Sequence, residues 1–246
     1  MLIFPTYQTM LAKAAAASSG GGIVTSNLVL HLDANNYSGS GDWLDETSND
    51  NDGTINGATY VAASGSDGAY FDFDGSNDYI KVDDSSDFLM GTGSFTEEAW
   101  HKRDGNNSWE APFQRYSNPS WGGLWIDSSG NLYPYHYSNS GSNLSYNSQV
   151  TATTGWIHHV TTTTNTGSSV IIKIYKNNQL AGSQTTTVSS WQPKGTSVGD
   201  SDVYIGGTPT YKYDGKIAIC RVYKGKALSA TEIEQNYDAH KGRFGY

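Results

Sequence analysis

Between Trp109 and Tyr146 the sequence places eight tryptophans and tyrosines: Trp109, Tyr116, Trp121, Trp125, Tyr133, Tyr135, Tyr137 and Tyr146. They alternate with Asn106, Asn118, Asp127, Asn131, His136 and Asn139. Planar aromatic faces pack on the C–H faces of sugar rings, while amides, hydroxyls and carboxylates orient the ring hydroxyls. Trp109, Trp121, Trp125, Tyr135 and Tyr137 are therefore the candidate carbohydrate contacts, with Trp121, Tyr135 and Tyr137 expected to be accessible. Aromatic side chains of the same kinds also anchor protein interfaces, so a protein contact is the competing use.

Residues with catalytic potential are sparse. Glycoside hydrolysis with retention needs two carboxylates about 5–5.5 Å apart. The paired acids here are Glu97-Glu98, and neighbours on a strand face opposite ways, so both enter one cleft only across a bulge. Glu46, Glu110, Glu232 and Glu234 read as loop or terminal-helix residues. His158-His159 likewise diverge on a strand, one expected against the core and one outward. No glycine-rich phosphate loop, zinc-spaced Cys/His cluster or Gly-x-Ser-x-Gly elbow is present. The chain is accordingly expected not to be an enzyme, and no catalytic or metal-ligating residue is assigned.

Oxygen-rich loops leave calcium open as a cofactor, because hard cations prefer carboxylate and carbonyl ligands. Asp74, Asn77 and Asp78 form one such group, and Asp45, Asn49 and Asp52 another. Asx residues also close tight turns with no ion at all.

The elements that must carry these residues are strands. Of 246 residues, 36% are hydrophobic and only 16% charged, with 28 glycines and 17 tyrosines. Aromatic and β-branched residues suit half-buried pleated surfaces, and glycines supply the turns between short strands. A net charge of -9 repels phosphate backbones, so nucleic acid is an unsuitable partner. No run approaches the roughly 20 apolar residues of a membrane span. The single cysteine, Cys220, excludes an internal disulfide and reads as a buried strand thiol.

Residues 1–22 read as an N-terminal arm, with Met10, Leu11 and an alanine run suited to a helix, followed by a Ser/Gly linker. The arm lacks the basic start of a secretory signal, and Pro5, Thr6, Gln8 and Thr9 interrupt its apolar run. The globular domain is expected over 23–246. Period-two alternation predicts strands at Leu28 to Leu32, Ala69 to Asp74, Tyr79 to Val82, Trp156 to Thr163, Val170 to Lys176, Tyr204-Ile205 and Lys216 to Tyr223. The Gly75 turn predicts that the Ala69 and Tyr79 strands form a hairpin. A second pairing, Trp125-Ile126 with Leu132-Tyr133, is expected across residues 127–130, and Asn177-Asn178 is expected to turn. Ser229-Ala230-Thr231-Glu232 fits a capping box, with Leu228, Ile233 and Tyr237 as the packing face of a short C-terminal helix.

Four ordered patterns carry a resemblance. They are Trp43-Leu44-Asp45 with Asn51-Asp52-Gly53, then Phe73 to Ile80, then Ser94 to Trp100, then Gly155 to Val160. With the closing Tyr213 to Ala218 and Ala227 to Ile233, they resemble the laminin-G-like branch of the concanavalin A-like lectin and glucanase superfamily over Leu28 to Tyr246. That resemblance implies an all-β fold, an antiparallel two-sheet jelly-roll β-sandwich, and carbohydrate binding. An arm before such a domain, and the closing Asn236 to Gly245, are similar to virion structural proteins of tailed bacteriophages. By that analogy the chain is expected on the virion as a decoration protein. It would be attached to a capsid or tail partner through the arm, form homo-oligomers, and be displayed for adhesion to glycans. A secreted or cell-surface lectin is the alternative, and a glycoside hydrolase the next.

Overall fold

Alternating apolar residues in segments too short for helices demand a facing partner surface, and here two antiparallel sheets supply it for each other. The structure is a computed structural model. It describes residues 22–64, 67–105, 108–117, 120–138, 142–193, 202–208 and 210–246, with backbone only at 116, 117, 120 and 121. The expected N-terminal arm lies outside the described residues, as does the side chain of Trp121.

The strands are β1 (Leu28–Asp33), β2 (Gly53–Asn56), β3 (Thr59–Val61), β4 (Tyr70–Asp74), β5 (Tyr79–Val82), β6 (Phe95–Arg103), β7 (Glu110–Ser117) and β8 (Ser120–Ile126). They continue as β9 (Tyr135–His136), β10 (Leu144–Ser145), β11 (Trp156–Asn165), β12 (Ser169–Lys176), β13 (Gln179–Thr187), β14 (Asp202–Ile205) and β15 (Asp214–Lys224). The first sheet runs β13-β12-β11-β6-β15-β4-β3, and β1 shares the β4 edge of β15; the second runs β10-β9-β8-β7-β14-β5-β2. Phe71, Phe73, Ile80, Val82, Phe95, Phe113, Leu124 and Ile205 fill the space between them. This is the expected all-β sandwich.

One expected pairing is absent. The turn after β4 is tight as predicted, with Gly75 at φ 71 and Ser76 N donating to Asp74 Oδ1 at 2.8 Å. It carries the chain from one sheet to the other, however. β4 pairs with β3 and β15, and β5 with β2 and β14. A hairpin and a sheet-to-sheet crossing both turn Phe71, Phe73, Ile80 and Val82 into the core, so alternation does not distinguish them. The Asn177-Asn178 turn is present, both residues at positive φ, between β12 and β13.

The central strands β6, β11 and β15 are buried on both faces. The inner face meets the second sheet, and the outer face is covered by helix α1 (Ala230–His240) and the 3-10 turn after it. Ser229 caps α1 in a capping box with Glu232, as the sequence predicts. The ring of Trp100, on the outer face of β6, stacks on Phe244 at 4.3 Å and Tyr237 at 5.6 Å. His158 and His159 point to opposite sides, as strand neighbours do, and because the outer face is closed both are fully buried. The expected outward histidine is thus corrected by the helix that sits on it.

Candidate functional site

The outer face of the second sheet carries the aromatic residues. Along β8, Leu124 and Ile126 point into the core, which leaves Trp125 and Gly123 on the outside. Gly123 pairs with Tyr135 on β9, so Tyr135 shares that face, and alternation brings Tyr133 and Tyr137 with it. The predicted Trp125-Tyr133 pairing holds: Tyr133 N donates to Trp125 O at 2.8 Å, and Ile126 bridges Leu132. The turn between them is fixed by Asp127, whose Oδ1 accepts from the backbone of Ser129 and Asn131 and whose Oδ2 accepts from Asn147 Nδ2.

Trp109, Trp125, Tyr133, Tyr135, Tyr137 and Tyr211 together line a cavity of about 310 Å³. That volume is at the lower end of the roughly 300–1,000 Å³ typical of small-ligand sites. The rings meet edge to face: Trp109 on Tyr133 at 4.9 Å, Trp125 on Tyr211 at 4.8 Å, and Tyr135 on Tyr137 at 5.1 Å. Such contacts leave ring faces free to pack on a guest. Trp109 is 39% exposed, Trp125 is buried as the floor, and Tyr135 and Tyr137 are half-buried. Burial and the hydrogen bond with Tyr137 push the Tyr135 phenol up to about 12, so it stays a neutral hydroxyl. Four of the five sequence candidates thus converge; Trp121 lies on β8 with its side chain outside the described residues.

Residues 74–234, about two thirds of the chain, match the laminin-G family described as the Concanavalin A-like lectin/glucanases superfamily. The chain belongs to this family. No curated protein matches it. Among solved structures, this laminin-G domain is similar to the binding domain of Paraclostridial Mosquitocidal Protein 1, with TM-score 0.67 and 16% identity, covering 86% of this chain. It spans about half, 52%, of that toxin chain. It is also similar to domain 4 of a GH43 extracellular arabinanase from Geobacillus stearothermophilus, in complex with arabinotriose, with TM-score 0.64, 20% identity, 88% of this chain and 100% of the other. The botulinum neurotoxin serotype D binding domain gives TM-score 0.61 and 16% identity over 86% of this chain and 51% of the other. These likenesses show a shared fold.

In the laminin-G domain the paired acids are separated as strand geometry requires. Glu97 points between the sheets, where Arg115 Nε donates to its Oε1 at 3.1 Å and His136 lies 3.8 Å away. Burial drives its carboxyl up against the opposing pull of Arg115. Glu98 points under α1. Burial alone would raise it, but Arg221 at 2.5 Å and His158 at 2.9 Å outweigh that and hold it well below the usual range. Neither carboxylate lines the aromatic cavity. Glu110, expected in a loop, opens strand β7 and is buried against Arg103. His136, counted among the polar groups of the aromatic stretch, faces the core instead.

The loop acids act as scaffolding. Asp45 accepts from His31 N, Thr47 N, Thr47 Oγ1 and Asn51 N, while Asp52 Oδ1 accepts from Asp45 N. Asp78 Oδ2 accepts from Asp74 N. His31, Asp33 and Glu46 bring one ligand atom each within 4.8 Å of one another. Arg221 Nη2 sits 3.2 Å from His31 Nε2, and a guanidinium only donates, so the ring carries its proton on Nδ1, facing Glu46. Both Asp33 oxygens accept from Arg243 at 2.6 and 2.8 Å. The trio is therefore committed to protein partners.

Sequence reading missed two lining residues. Tyr133 shares the period-two phase of Tyr135 and Tyr137, a signal that was present. Tyr211 comes from the loop between β14 and β15, where Thr208 Oγ1 accepts from the backbone of Thr210 and Tyr211. Nothing local announces its approach to Trp125.

Proposed function

We propose that this laminin-G domain is a non-enzymatic glycan-binding module whose site is the aromatic cavity on the outer face of the second sheet. The observation that carries the reading is the lining itself: six tryptophan and tyrosine side chains around about 310 Å³. Their hydroxyl and indole groups supply hydrogen bonds, and their faces supply apolar area. The arabinanase domain of the same fold, seen with arabinotriose, and the two toxin binding domains support it. The absence of a carboxylate from the lining, among the described residues, favours binding over hydrolysis.

The finer reading is display on a tailed-bacteriophage particle as a decoration protein, with residues 1–22 docking on a capsid or tail partner. A glycan array tests the first part, with binding expected in the native chain and lost in Trp125→Ala and Tyr135→Ala. A silent array would favour a purely structural role. Removing residues 1–22 should leave a folded domain that no longer joins particles or oligomers, and continued assembly would refute the tether. Release of reducing sugar from laminarin or agar would instead favour a hydrolase.

A further inference from the structure

Across the second sheet one row of outer-face positions runs Tyr135, Gly123, Gln114 and Tyr204. Gln114 is fully buried, and neither its amide nitrogen nor its amide oxygen has a hydrogen-bond partner among the described residues. An amide left unpaired at both ends is costly, and a hydrocarbon of the same shape would avoid the cost. Its phase on β7 is opposite to Phe113 and Arg115, which face the core, so the amide belongs to the face that carries the aromatic cavity.

Gly123 separates Gln114 from the Tyr135 wall. It has φ 148, and a Cβ there would collide with the Phe113 carbonyl oxygen, so no side chain fills that step of the row. Trp125, the cavity floor, is the next outward residue along the same strand. Two cavity residues and an unsatisfied amide thus flank one buried glycine that contributes no side chain between them. The lining carries no charged side chain among the described residues, so nothing in it would pair with the carboxylate of an acidic sugar.

Building on the glycan-binding reading, we infer that the site takes a neutral sugar ring and that Gln114 reads two neighbouring hydroxyls of that ring. The amide oxygen accepts from one hydroxyl and the amide nitrogen donates to the other. Aromatic faces give affinity without selecting configuration, whereas the amide rejects a sugar that lacks the hydroxyl pair. Because Gln114 is buried, the sugar reaches it only when an outer-face side chain gives way. Tyr135, in edge-on contact with Tyr137, pairs with that glycine and is the cavity wall nearest to Gln114 across it.

The test uses the full chain, tryptophan fluorescence and two ligand sets: neutral arabino- and galacto-oligosaccharides, and the same chains capped with sialic or glucuronic acid. The neutral set should bind and the capped set bind roughly tenfold or more weakly. Gln114→Leu and Gln114→Met should each lose roughly tenfold or more in affinity while unfolding at the same or higher urea concentration. A structural glutamine would show the reverse, lower stability with affinity retained, and that result overturns the assignment. Equal or tighter binding of the acid-capped set overturns the neutral-ligand inference. Silence from both sets would sink the glycan reading itself, whereas binding indifferent to both Gln114 variants removes only the role given to Gln114.

Discussion

Lowering the pH from 7 to 5 should strip this fold of much of its stability, through histidines that the native chain will not protonate. His31, His101 and His240 are each pushed down to about 3, by burial first and then by neighbouring cations: Arg221 for His31 and His240, Arg103 for His101. An unfolded chain protonates the same rings near 6.5. Protons therefore favour the unfolded state, so stability is complete above about pH 6.5 and falls as the pH drops from there toward about 3. Between pH 7 and pH 5 each such ring removes about 2 kcal/mol, and three remove about 6 kcal/mol. His136 and His159 are shifted in the same direction by burial. Glu97 and Glu110, raised by burial, work in the opposite sense and offset part of the loss. A domain of ordinary stability has only about 5–15 kcal/mol in all. Urea unfolding at pH 7, 6 and 5, followed by tryptophan fluorescence, should show the decline, and His240→Gln should make it shallower by about 2 kcal/mol. Equal stability at pH 7 and pH 5, or an unchanged slope in His240→Gln, would refute the reasoning.

Other consequences are equally open to measurement. Arg221→Met leaves Glu98 buried and largely uncompensated beneath α1, and should cost about 3–5 kcal/mol in chemical denaturation; a double change with Glu98→Leu should recover a large part of it. Ser229→Ala removes the cap of α1 and should cost about 1 kcal/mol. The Cys220 thiol, buried and pushed up by that burial, should react with a thiol reagent only as fast as the protein unfolds. Trp100→Ala empties the stack under Phe244 and Tyr237 and should destabilise by about 3–5 kcal/mol, with little effect on ligand binding across the sandwich.

Much of the site was legible because its residues lie on one short, alternating stretch. Trp125, Tyr135 and Tyr137 share a strand phase, so the step that gathers them is the same local rule that makes them strand residues. Tyr211 escaped because it arrives from a loop formed some 75 residues after Tyr135–His136, and chain distance of that kind leaves no local trace. Gln114 escaped for a different reason: a lone glutamine in an alternating strand reads as solvated, and only its complete burial marks it. The misread hairpin after β4 and the outward histidine after Ile157 share a cause. Alternation reports which side chains leave water, and is silent on which surface covers them.

By itself the sequence determined the all-β class, the strands with clear alternation, the capped C-terminal helix and the separation of Glu97 from Glu98, because each depends on dihedral preference and period-two geometry within a few residues; the single cysteine likewise excluded an internal disulfide. The tertiary structure decided which strands share a sheet, that a helix closes the far side of β6, β11 and β15, and that six aromatic rings enclose one cavity. Those outcomes depend on long-range pairing, where many local arrangements bury the same apolar area and only the packing of the whole chain selects among them.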